Sequence, residues 1–226
     1  MKPETLNEIV KLIRFIKENK SKFDSETLAS FMQPLNMVMF QEEKSPKIGK
    51  IDIFKFCAND ELRPALDGVY YHNGYCYASD GHVLLKTSHG YNEEFNGKIM
   101  SKDGKVIEAR YPDAESVIPT SKDNYTEYEV DFDLVESYMK AAKIWCKINN
   151  GDKDKCNINF HGTHFKLYYF ALICSAMKEM GMTSLAIHSK KEEKAFQRDG
   201  NNVVLIMPLV EDNYKEMKDT FYCEIL

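Results

Sequence analysis

The chain of 226 residues is poor in the residues that mark fibrous, low-complexity or disulfide-built proteins: Gly 11, Pro 7 and Cys 6. Too little glycine and proline excludes a collagenous or linker-like chain, and 43% hydrophobic with 29% charged residues falls in the ordinary globular range. The cysteines (Cys57, Cys76, Cys146, Cys156, Cys174, Cys223) include no C-x-x-C pair, and a chain this long needs no disulfide framework. They are expected to be reduced thiols. Nothing approaches the run of about 18 apolar residues that a membrane span requires. Charges at Lys2, Glu4, Glu8, Lys11, Arg14, Lys17, Glu18 and Lys20 interrupt any signal-peptide core, so a cytoplasmic protein is expected. An excess of positive charge is also missing. A net charge of -5 argues against a protein that coats nucleic acid by bulk electrostatics and leaves room only for a local basic face.

What is present is a helical start followed by many short strands. Leu6, Ile9, Val10, Ile13 and Ile16 recur at helical spacing behind a Thr5/Glu8 capping box, which predicts a helix over about 5–20. A second helix is expected from Asp24, ended or kinked by Pro34. From Ile51 the pattern becomes strand-like: 51–57, 68–71, 75–78 and 82–86, with Asn73-Gly74 and Asp80-Gly81 as turn signals. A further hairpin is read at 98–100 and 105–109. The stretch 111–120, with two prolines and no period, is expected to be an extended crossing between domains, giving a boundary near residue 120. Beyond it Phe132, Val135, Tyr138, Met139, Ala142 and Cys146 trace a helix, 158–167 a hairpin around His161-Gly162, and 170–180 an apolar helix stopped by Gly181. Strands are expected at 185–188, 195–197 and 203–209. Helices mixed with antiparallel strands make the fold class α+β, with domains at 1–119 and 120–226.

Two blocks stand out: Arg63-Pro64-Ala65-Leu66-Asp67-Gly68-Val69-Tyr70-Tyr71 running into Ala78-Ser79-Asp80-Gly81-His82-Val83-Leu84-Leu85, and Arg110-Tyr111-Pro112-Asp113 through Val117-Ile118-Pro119. With Val203-Val204-Leu205-Ile206-Met207-Pro208-Leu209 they resemble, in order, three motifs of the bacterial sliding clamp, the beta subunit of DNA polymerase III. The resemblance covers about a third of the chain. It implies clamp-like domains, helices packed on curved antiparallel sheets, in a shortened two-domain relative whose N-terminal helices are extra. A clamp subunit has three such domains. The resemblance also implies an apolar peptide-binding cleft made of Leu84, Pro112, Val117, Leu205 and Met207 with Ser79, Gly81 and His82 at its rim. Its partners would be short linear motifs of a DNA polymerase or clamp loader. A Met-lined aliphatic pocket suits apolar peptide anchors of several shapes.

Lys140, Lys143 and Lys147 fall on one face of the helix after Asp131, and Lys11, Arg14 and Lys17 form a looser row. Such cations could face duplex DNA without reading its sequence, or could be the solvated side of an amphipathic helix. No catalytic residue, metal or cofactor is expected. Cys156, His161 and His164 match no zinc spacing, and Asp80-Gly81-His82 lacks an accompanying nucleophile. The functional expectation is a processivity factor that encircles duplex DNA as a homo-oligomer. The alternative is a clamp-derived, peptide-binding adaptor that forms no ring; an enzyme built on His82 or on the Cys156/His161/His164 group ranks behind both.

Overall fold

Turns that need left-handed backbone set the strand boundaries. Asn73 (φ 48°) and Gly74 (φ 87°) join β3 (Gly68–His72) to β4 (Tyr75–Ser79), the pairing of positive angles that a tight two-residue hairpin demands. His161 (φ 48°) and Gly162 (φ 80°) do the same between β9 (Cys156–Phe160) and β10 (Thr163–Lys166). The computed structural model describes residues 46–226 except 61, 150, 191 and 211–219, together with scattered positions between 11 and 30. The two N-terminal helices expected from the sequence lie mostly outside the described residues; Lys11, Leu12, Phe15, Ile16 and Glu18 are helical.

After a short ribbon of β1 (Lys47–Ile48) and β2 (Ile51–Asp52), β3 and β4 continue into β5 (Val83–Thr87), β6 (Ile99–Ser101) and β7 (Val106–Ile107). The rest of the chain supplies β8 (Tyr125–Glu129), helix α1 (Phe132–Asn149), β9, β10, helix α2 (Leu167–Glu179), β11 (Ser184–His188), β12 (Ala195–Asp199), β13 (Asn202–Ile206) and β14 (Phe221–Ile225). A nine-stranded antiparallel sheet has the order β7-β6-β3-β4-β5-β13-β12-β11-β8, and a smaller sheet the order β10-β9-β14. The large sheet therefore runs continuously across the expected boundary near residue 120, joined by β5 against β13.

The central strands β4, β5 and β13 bury apolar side chains on both faces, because both are covered. The inward set, including Tyr71, Ala78, Leu85, Val204 and Ile206, belongs to the main core with α2. That helix touches β13 and β5 of the large sheet and β9 and β10 of the small one, and buries Leu167, Phe170, Leu172, Ile173, Cys174, Ala176 and Met177. It ends where Gly181 takes φ 75° and Met182 N–H returns to the Met177 carbonyl at 2.9 Å. Helix α1 is more peripheral: it packs on α2 and β14, burying Val135 and Ala142, and starts where Asp131 accepts from Leu134 N–H at 2.9 Å. The outward set is covered by the crossing segment, whose Tyr111 joins Tyr77 and Ile99 while Ile118 joins Leu84, Phe196 and Leu205.

The structure corrects the sequence reading in three places. Residues 51–57 are not one strand: after Ile51–Asp52 the Asp52 carboxylate caps a 3-10 turn over Ile53–Phe56 by accepting from Phe54 N–H. Strands β1, β8 and β14 are additions to the expected set. The β14–β9 pair is parallel, with Cys223 opposite Ile158, so the sheets are not antiparallel throughout. Asn159 secures this corner, donating to Glu224 Oε1 at 2.6 Å and accepting from Gly162 N–H at 2.8 Å.

Candidate functional site

The 79–83 turn is held by its own side chains. The Asp80 carboxylate accepts from the N–H groups of His82 (2.8 Å) and Val83 (3.1 Å), while Ser79 Oγ donates to the Val83 carbonyl (2.7 Å) and accepts from Gly81 N–H (3.1 Å). Gly81 sits at φ 93°, and a Cβ there would come 2.9 Å from Arg63 Nη1. That guanidinium donates to the Asp80 carbonyl at 2.7 Å and, through Nε, to Asp60 at 2.9 Å. From below, the Tyr169 ring of α2 stacks on His82 at 5.2 Å and 10°. Burial, and then the hydrogen bond from its hydroxyl to Asp80, push the Tyr169 phenol well above its ordinary value.

The closing strand meets this turn. Met207 N–H donates to the His82 carbonyl at 2.8 Å, and two residues on Leu209 N–H donates to the His164 carbonyl at 2.8 Å, so 207–209 bridges the large sheet to β10. Leu84 and Leu205 are cross-strand partners, only 3% and 4% exposed. They form a floor together with Ile118, Phe196, Val203 and Ala186. Met207 stands outside that floor at 43% exposed.

Of the eight residues of the expected cleft, Ser79, Gly81, His82, Leu84, Leu205 and Met207 fall in one hydrogen-bonded and packed patch. Pro112 and Val117 lie exposed on the crossing segment, and it is Ile118 rather than Val117 that enters the floor. Glu115 anchors this segment, accepting from the Tyr77 hydroxyl at 2.6 Å and from Lys86 Nζ at 2.5 Å. Burial raises the Glu115 carboxyl, but the bonds from Lys86 and Tyr77 outweigh it and leave it below the ordinary carboxylate value. Arg63 and Ile118 lie in the two sequence blocks without being marked there as site residues, and Glu115 and Tyr169 carry no local signal, since each acts through residues 17 to 89 positions away.

On α1, Lys140, Lys143 and Lys147 project within a sector of roughly 60°. Lys140 is engaged by Glu136 at 2.8 Å. Lys143 borders an open groove of about 390 Å³ between α1 and α2, walled by Phe132, Met139 and Leu172, with Lys55 and Lys178 also at its edge. Ile144 and Ile148 lie exposed beside the row. Lys11 is helical and exposed; Arg14 and Lys17 are outside the described residues.

His82 Nδ1 is 3.8 Å from Asp80 Oδ1, and His161 stacks on Tyr128 at 3.8 Å, where burial lowers its pKa. Among the described residues no group of three His, Cys, Asp or Glu side chains is arranged to hold a metal ion. Among them, too, no helix is long and apolar enough to cross a membrane.

No protein-family model matches the sequence, and no curated protein matches it. Solved structures do resemble the fold. The DnaN sliding clamp (DNA polymerase III subunit beta) of Bartonella birtlesii, solved bound to griselimycin, superposes with TM-score 0.51 at 14% identity, covering 69% of this chain and 61% of the clamp. The beta sliding clamp of C. crescentus gives TM-score 0.51 at 15% identity over 69% of this chain and 60% of its own. The chain thus spans about 60% of the length of the clamps it matches. Over some two thirds of its residues, it has the α+β fold of a bacterial sliding clamp.

Proposed function

We propose that the protein is a sliding-clamp-like processivity factor: it binds short peptide motifs of a DNA polymerase or clamp loader and closes with copies of itself around duplex DNA in the cytoplasm. The two clamp-like halves would be 1–119 and 120–226. The observation that carries this reading is the seam where β5 meets β13, where the exposed Met207 is hydrogen-bonded to the His82 turn at the end of the strand that pairs Leu205 with Leu84. An exposed Met207, hydrogen-bonded through its N–H to a turn that Asp80 and Arg63 fix, is a preformed contact for one large apolar anchor. Pro112 and Val117 supply apolar surface on the neighbouring segment. The lysine row on α1 would meet phosphate, in contacts that carry no sequence information and so permit sliding.

A second reading keeps the peptide seat and drops the ring. It is favoured by the patch itself, since Ser79, Gly81, His82, Leu84, Leu205 and Met207 come together within a single chain and need no second copy. Light scattering across a concentration series separates the two, since only the ring requires a closed oligomer. Both readings require the seat: Met207→Ala should weaken a fluorescent clamp-binding peptide by about tenfold, as loss of an interface anchor worth over 1 kcal/mol does. A peptide that binds neither the native protein nor the variant would overturn both.

A further inference from the structure

We infer that Cys146 and Cys156 are a modification site: a dithiol that oxidised glutathione, or another small anionic disulfide, converts reversibly into a cross-link between the last turns of α1 and the start of β9. The sulfurs lie 3.6 Å apart, and a side-chain rotation closes the remaining distance to a bond of roughly 2.0 Å. No other pair of cysteine sulfurs among the described residues comes within hydrogen-bonding reach.

The surroundings supply access and charge. A cavity of about 250 Å³ is bordered by both cysteines, by Met139 and Ala142, and by Lys143, Lys147 and Lys153. The lining is apolar, but it is drawn in part from three lysines, whose positive charge favours a reagent that carries carboxylates. Cys146 is half-buried, whereas Cys156 is 3% exposed. Burial, and then the contact with Cys146, hold the Cys156 thiol high, at about 12. Cys146 is therefore the attacking sulfur and Cys156 the resolving one.

Exchange proceeds in two balanced steps. The Cys146 thiolate attacks one sulfur of oxidised glutathione, the glutathione S–S bond breaks, and one glutathione thiolate leaves. Cys156 then gives up its proton, its thiolate attacks the Cys146 sulfur, and the second glutathione leaves. Two electrons and two protons pass from the protein dithiol to two glutathione thiols. The product closes the short 147–155 loop, where Gly151 N–H bonds the Cys146 carbonyl at 3.0 Å, and pins the end of the lysine-bearing helix to the small sheet.

The test is titration of the full chain with glutathione redox buffers, read by intact mass and peptide mapping. The expected product has lost two hydrogens, joins the Cys146 and Cys156 peptides, and melts higher by roughly 5 °C until dithiothreitol is added. Cys156→Ser should stop at a mixed disulfide on Cys146, Cys146→Ser should take up no glutathione, and Cys223→Ser, altered on the neighbouring strand, should behave as the native protein. A native protein that stays reduced, that links Cys156 to Cys223, or that accumulates only the mixed disulfide overturns the inference.

Discussion

Leu84 on β5 and Leu205 on β13 face each other across the one strand pair of the large sheet, among the described residues, that joins its earlier strands to its later ones. Each is almost wholly buried beneath Ile118. Truncating either should cost about 2–5 kcal/mol of stability, as deletion of a buried Leu side chain does where the cavity cannot collapse. Because the partners touch, the double variant should lose less than the sum of the two. Urea denaturation of the two single variants and the double variant checks this. Strict additivity would mean that the pair is not the packed unit described.

Glu115 makes the crossing segment sensitive to acid. Its folded carboxyl lies below the ordinary value near 4.5, so its contribution is fully present above that value and fades as pH falls through the lower folded one. Glu115→Gln should therefore lower the melting temperature at pH 7, and the gap from the native protein should close as pH falls through the lowered folded value. A gap that persists at low pH would assign the loss to packing rather than to the charge-assisted bonds from Lys86 and Tyr77.

Much of the fold is legible in the sequence because local chemistry dictates it. Asn73-Gly74 and His161-Gly162 announce hairpins through the backbone angles they accept, and the Val135–Ala142 period announces α1. Strand β14 is not legible, since its parallel partner β9 lies 65 positions away and only tertiary contacts such as Asn159–Glu224 select it. In the site, the rim follows from Ser79, Gly81 and His82 in sequence. The floor does not: nothing in Val117-Ile118 says which side chain turns inward, because that depends on how Glu115 hangs the segment on Tyr77 and Lys86.

Gly68 is required by close approach. A Cβ at this position in β3 would sit 2.7 Å from the Met100 carbonyl and within 2.9 Å of the Ile99 and Ile107 side chains. Gly68→Ala should cost on the order of 1–3 kcal/mol, the usual penalty for overpacking a closed interior. Chemical denaturation should show a lower midpoint with an unchanged slope. An unaffected midpoint would mean that β6 and β7 shift aside freely.

The lysine row makes unequal demands on its members. Lys140 already has Glu136 at 2.8 Å, so a phosphate would have to compete with a carboxylate one helical turn away. Lys143 and Lys147 border the cavity mouths along α1. If this face meets duplex DNA, Lys143→Glu and Lys147→Glu should each weaken binding without regard to sequence and reduce the slope of log affinity against log salt by about 0.9 for every phosphate left without its ammonium partner. Lys140→Ala should change that slope less. Salt titrations of fluorescent duplex binding measure all three. Equal slopes in the native protein and the Lys143 and Lys147 variants would place DNA elsewhere and leave α1 as a solvated face.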